Sequence, residues 1–130
     1  MNEIYELLKE AGIFFIATVD GDQPHVRVFG ATVMYNNKIY IHTGLGKPVA
    51  NQMEANPKVE ICTFAKGKMM RITAKVNHDP SIEAQQAMLD ANPSLTKMYA
   101  VNDGKNSVWY LSDIKATVAM GPNVREITVE

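Results

Sequence analysis

The chain has one cysteine, Cys62, among 130 residues. No intramolecular disulfide can staple it, and a reducing, cytoplasmic setting is the expectation. It lacks an excess of either charge: 13 Lys and Arg against 14 Asp and Glu leave a net charge of −1. That balance argues against a broad nucleic-acid surface, which depends on many cations neutralising phosphates. Long apolar runs are missing too; none approaches the ~20 residues needed to span a bilayer. The opening Met-Asn-Glu-Ile-Tyr-Glu has neither the basic region nor the apolar stretch of a signal peptide. His25, His42 and His78 are too widely spaced for a metal-site pattern, and no His–Asp arrangement supports Cys62 as a nucleophile. Neither a metal site nor a catalytic side chain is expected. There is no internal repeat, low-complexity tract or linker, so residues 1–130 are expected to form a single domain.

What is present is 46% apolar and 21% charged residues, enough for a sizeable core without staples. Residues 1–11 predict a helix with Ile4, Leu7, Leu8 and Ala11 on one face and Gly12 as its stop. Residues 13–19 are nearly all apolar and predict a strand buried on both faces. Asp20-Gly21-Asp22 turns into a strand over 25–35, in which Val26 and Val28 share one face while Arg27 and Phe29 share the other. Residues 38–43 predict a third strand, 48–55 a helix of about two turns, and 58–64 with 69–76 a hairpin. Asp79-Pro80-Ser81 opens a helix running to about residue 91, with Ser81 as cap and Glu83 in the first turn. A short helical segment near 94–99 follows, and residues 108–111 and 115–120 predict a closing hairpin. Seven strands joined mostly by tight turns imply an antiparallel sheet, and such sheets lose their open edges by curling. The expected fold is mainly β: an antiparallel barrel with helices outside it.

Residues 43–52, Thr-Gly-Leu-Gly-Lys-Pro-Val-Ala-Asn-Gln, are the most informative stretch. Gly44 and Gly46 allow close backbone approach, and Pro48 suits the first position of a helix. The N–H groups of that first turn and the Lys47 ammonium could converge on an anion, most plausibly a phosphate. A P-loop is excluded, because Pro48 stands where that motif needs Ser or Thr and Ile41 where it needs glycine. A plain surface turn would have the same composition. Arg27, in an apolar strand, is costly unless paired; a salt bridge and an anionic ligand both satisfy that need.

The ordered set F-I-A-T-V-D-G-D-Q-P-H-V-R-V-F (15–29), I-Y-I-H-T-G-L-G-K (39–47), N-Q-M-E-A-N-P-K-V-E-I (51–61) and V-W-Y-L-S-D-I-K-A-T-V (108–118) resembles the pyridoxamine 5′-phosphate oxidase-like superfamily of FMN-binding split barrels. The likeness is greatest to its short branch of general-stress and nitroimidazole-resistance-type proteins. The resemblance implies a Greek-key split barrel, and a homodimer with FMN at the subunit interface. It also implies roles by position. Arg27, Val28 and Phe29 would lie along the flavin, with Arg27 toward its phosphate or ribityl end. His42 and Thr43 would stand beside the phosphate, Lys47 would pair with it, and Asn51 and Gln52 would reach ribityl or ring atoms. Trp109 would lie near the ring. The basic pair of the full-length oxidase is replaced by Pro48 and Val49, and its C-terminal Arg/His segment is missing, so oxidation of pyridoxamine phosphate is not expected.

Flavin chemistry resides in the cofactor ring, and the protein supplies position and electrostatics. The leading expectation is therefore an FMN-dependent oxidoreductase. It would take reducing equivalents from a nicotinamide or a reduced flavin and pass them to a small electrophile such as a nitroaromatic or quinone. A non-catalytic FMN-binding or sensing module is the alternative, and related folds that hold haem or deazaflavin leave cofactor identity open. An OB-like nucleic-acid barrel is disfavoured by the charge balance.

Overall fold

The computed structural model describes residues 1–129. Its elements are α1 (Asn2–Ala11), β1 (Phe14–Asp20), β2 (Gln23–Phe29), β3 (Thr32–Tyr35), β4 (Lys38–Gly44), α2 (Pro48–Ala55), β5 (Lys58–Ala65), β6 (Lys68–Asp79), α3 (Ile82–Ala91), a 3₁₀ segment (Pro93–Lys97), β7 (Asn106–Met120) and β8 (Asn123–Val129). The antiparallel strands form one sheet in the order β2-β1-β5-β6-β7-β4-β3, with β8 added to β7. β2 and β3 thus stand at opposite ends of the strand path, yet only Gly30 and Ala31 separate them in sequence. Laid flat, seven strands at ~4.8 Å spacing would put those ends about 29 Å apart. The link from Phe29 to Thr32 reaches only ~11 Å. The sheet has to curl until its ends meet, and β2 and β3 remain unpaired along the seam. The result is a split β-barrel with flanking helices.

The inside of the curl is filled by Phe14, Ile16, Ile39, Ile41, Ile61, Met70, Ile72 and Trp109, together with Ile4, Leu7 and Leu8 of α1 and Val49, Ala50 and Met53 of α2. The 3–4 residue spacing of Ile4, Leu7 and Leu8 turns one face of α1 inward. That helix stops at Gly12, φ +78°, whose N–H returns to Leu8 O. A smaller core lies on the other side of the sheet, where Ala84 and Met88 of α3 pack on Ala31, Val33, Tyr40 and Val108. The Ser81 side chain caps α3 by accepting from the Ala84 N–H.

Four sequence expectations are corrected. The strand over 13–19 is buried on one face only: Phe14, Ile16 and Thr18 point inward, while Ile13 and Phe15 are 51% and 42% exposed. A single curled sheet gives β1 one covered side. The strand over 25–35 is interrupted at Gly30-Ala31, where the chain crosses from one end of the sheet to the other. The hairpin expected at 108–120 is one long strand. Asp113, at φ +51°, forms a bulge where the pairing shifts register between Thr73 and Lys75, so the break in the pattern bends β7 without reversing it. The reversal comes later, at Gly121, and produces the unanticipated β8.

Candidate functional site

Beside the seam lies a cavity of about 420 Å³, within the range of small-molecule sites. One wall is apolar: Val28, Phe29 and Ala31 face Leu95 and Met98 of the region after α3. Arg27, His42, Thr43, Lys47, Asn92, Ser94 and Tyr99 add polar groups to the lining. The lining is therefore amphipathic, combining hydrocarbon with hydrogen-bond donors.

Arg27 is set by β2, opposite Ile16 of β1. Its guanidinium reaches Thr18 Oγ1 (2.5 Å) and Gln52 Oε1 (2.9 Å), both neutral acceptors. No carboxylate of the described residues lies within ion-pair distance of it; the ion pairs are Lys66–Glu10, Arg71–Glu60, Lys75–Asp113 and Arg125–Glu3. Burial pushes the Arg27 pKa down from its ordinary value, the mark of a charge partly stripped of water and left uncompensated. Lys47 is likewise without a carboxylate. It is the extended N-cap residue of α2, with Pro48 next. A tight turn delivers it there: Gly46 sits at φ +90°, and the Lys47 N–H bonds to Gly44 O. Since Pro48 has no N–H, Val49, which lines the cavity, supplies the first donor of the helix. Thus the chain brings two uncompensated cations and a helix start to one concavity.

His42 is 8% exposed. Its Nε2 lies 2.7 Å from Asn106 Oδ1, and its ring meets the Tyr99 ring edge-on at 4.6 Å between centroids. Burial holds its pKa below 6.5, an effect that the Asn106 bond opposes and nearby Lys47 reinforces. Behind it, Asp103 accepts from the N–H groups of Ala100, Lys105 and Asn106. Those three bonds hold its pKa down to about 2. Both groups act in the same direction. Asp103 contributes stability that is full above its unfolded pKa of ~3.9 and is lost as pH falls toward 2. His42 resists a proton that the unfolded chain accepts, so stability also declines as pH drops below ~6.5. The thermal midpoint is expected to be level from about pH 7 to pH 9 and to fall through acid. Asp103→Asn should lower it at pH 7, with the gap from the parent protein closing toward pH 2. A gap of equal size at both pH values would show that Asp103 is not the group responsible.

Of the residues expected at a binding site, Arg27, Val28, Phe29, His42, Thr43 and Lys47 line this cavity together. Asn51 and Gln52 line the adjoining groove of about 520 Å³, between α2 and the β1–β2 turn. Gln52 still touches the site, because its Oε1 accepts from both Arg27 and the Thr18 hydroxyl. Trp109 is placed elsewhere. It is 2% exposed in the barrel core, donates from Nε1 to Ser107 Oγ (3.0 Å) and stacks against His78 at 4.9 Å. Alternation along β7 turns its ring inward, opposite Ile41, so it does not line the cavity. The sequence reading missed the wall from Asn92 to Tyr99. Its only local signal was the four-residue spacing of Leu95 and Tyr99, which marks one helical face but not what that face meets.

The fit of a flavin phosphate can be judged on these atoms. The cavity offers apolar side chains for a ring and two cations for a dianion. Such a set matches an amphipathic phosphorylated ligand. Among the described residues no three His, Cys, Asp or Glu side chains group to hold a metal ion. No described helix is long and apolar enough to cross a membrane.

Known proteins share this fold. The NimC/NimA family protein of Clostridium acetobutylicum is 39% identical, superposes with a TM-score of 0.96, and the match covers 99% of this chain and 93% of that one. A pyridoxamine 5′-phosphate oxidase-related, FMN-binding protein of Nostoc punctiforme has the same fold at 12% identity (TM-score 0.65; 99% and 95% covered). So does a haem-binding protein of Mycobacterium smegmatis at 14% identity (TM-score 0.72), with 94% of this chain and 55% of that one covered. None of the curated proteins compared with the chain matches it. The family model for pyridoxamine 5′-phosphate oxidase matches residues 1–117, and the chain belongs to that family.

Proposed function

We propose that this protein binds FMN in the cavity beside Arg27 and Lys47 and acts as an oxidoreductase. In this reading it passes reducing equivalents from a nicotinamide or a reduced flavin to a small electrophile such as a nitroaromatic or quinone. The observation that carries the reading is the pair of cations without carboxylates in one cavity that Val28, Phe29, Ala31, Leu95 and Met98 also line. Lys47 and the Val49 N–H would hold the phosphate. Arg27, steadied by Thr18 and Gln52, would hold the phosphate or ribityl end, and Val28 and Phe29 would exclude water from the ring. Bound FMN supplies hydride and single-electron transfer at its ring. No side chain has to serve as general acid or base, and specificity would come from whatever can stack on the open ring face.

Val28, which lines the cavity, is 55% exposed, and beside it the outer face of the sheet is apolar. Val28 lies directly across from Phe15 on β1, and Phe64 across from Met69; all four are more than 40% exposed. A second copy of the chain is the occupant that would cover this face and supply the missing wall of the flavin site, giving a homodimer. Contiguous exposed apolar surface next to a ligand cleft is the usual sign of such an interface.

The test is the visible spectrum of freshly purified protein. A yellow preparation with oxidised-flavin absorbance, bleached by a reduced nicotinamide and restored by a quinone, is the expected result. Flavin absorbance with no bleaching by either donor would leave an FMN-binding module without turnover. A Soret band would replace the flavin with haem, and colourless protein that ignores added FMN would end the proposal.

A further inference from the structure

Tyr99 lies just beyond the 3₁₀ segment, its N–H bonded to Leu95 O at 2.8 Å. Its ring rests on the bare α-carbon of Gly44. A Cβ there would meet Tyr99 Oη at 2.7 Å, Tyr99 Cε1 at 3.4 Å and Lys47 Cε at 3.5 Å. The phenol and the lysine stem therefore flank one point of backbone, at the end of β4 where the turn toward α2 begins. The His42 ring holds the phenol edge-on from a third side. Tyr99 is half-buried and lines the cavity, and its Oη, which is not itself buried, makes no hydrogen bond to any described residue, so the hydroxyl is free to meet a ligand there. A donor packed beside an uncompensated lysine, with no acceptor among the described residues, is suited to an anionic oxygen of a ligand.

We infer that the Tyr99 hydroxyl is a phosphate-binding group of this site, donating to the same anion that Lys47 pairs with, and that Gly44 is required to seat it. This rests on the FMN reading above. The segment after α3 then brings a neutral donor to the phosphate beside Lys47. The side chain belongs with the phosphate rather than the ring, because Gly44 and Lys47 fix it at the β4–α2 turn, away from the apolar wall formed by Val28, Phe29 and Ala31.

The experiment compares affinities for FMN and for riboflavin, which carries the same ring and ribityl chain without the phosphate, by quenching of flavin fluorescence. Tyr99→Phe keeps the ring and its packing on His42 and removes only the hydroxyl. FMN affinity should fall about 10-fold, roughly the loss of one hydrogen bond to a charged group, while riboflavin affinity stays as in the parent protein. Gly44→Ala should produce the same selective loss by displacing the phenol. Equal weakening of both ligands by Tyr99→Phe would assign the hydroxyl to the ring or ribityl end and overturn the inference. Unchanged FMN affinity would overturn it as well. Failure of the parent protein to bind FMN at all is a separate result that removes the cofactor reading itself.

Discussion

Combining Arg27→Ala with Lys47→Ala is expected to weaken FMN binding about 100- to 1,000-fold, with little change in the thermal midpoint of the flavin-free protein. A hydrogen bond to a charged group contributes about 1.5–3 kcal/mol, or one to two orders of magnitude in affinity each. Because both cations act on one ligand, their losses overlap and sum to less than the two single effects together. The fold should tolerate the change. Lys47 is an exposed residue with no ion-pair partner, and removing Arg27 leaves Thr18 bonded to Gln52. Arg27 contributes no ion pair to the fold: burial disfavours its charge, and no carboxylate of the described residues lies within ion-pair distance. Flavin titration of the single and double variants checks this. Parent-like affinity in the double variant would detach both residues from the site.

Phe15→Glu together with Phe64→Glu should convert the proposed dimer to a monomer and, at the same protein concentration, strip it of FMN. Both side chains stand on the outer face of the sheet, Phe15 opposite Val28 and Cys62 and Phe64 opposite Met69. Neither lines the cavity. Burying an unpaired carboxylate in an apolar contact costs several kcal/mol, which raises the dissociation constant about 100-fold or more. The folded subunit itself should survive, because the two positions are 42% and 67% exposed within it. Light scattering reads the mass and fluorescence reads the flavin. A dimer that persists would place the contact on another face. A monomer that keeps its FMN would mean that one subunit completes the site unaided.

The local signals in the sequence were sound wherever the structure is made of neighbours. Pro48 does open α2, Ser81 does cap α3, and Gly12 does end α1. The hairpins β1–β2, β3–β4 and β5–β6 follow turn residues that strand alternation separates cleanly. The reading went astray where a local break had two physical outcomes. Ser112-Asp113-Ile114 can reverse a strand or bulge it, and only the facing partner β6 selects the bulge. Gly30-Ala31 can sit within one strand or carry the chain across the barrel seam, and only closure of the sheet decides between them.

The site divides in the same way. The residues of β2 and of the β4–α2 turn were legible because each carries its own chemistry: a charge in an apolar strand, or a lysine between glycine and proline at a helix start. Those local features singled out Arg27 and Lys47 as candidates, and the family resemblance supplied the roles expected of them toward a flavin. What sequence could not supply was their meeting in one cavity, the inward turn of Trp109, or the arrival of Tyr99 over Gly44. Those depend on a sheet whose two ends are neighbours in the chain but opposite edges of the strand order, so that residues dozens of positions apart come into contact only when the barrel curls shut.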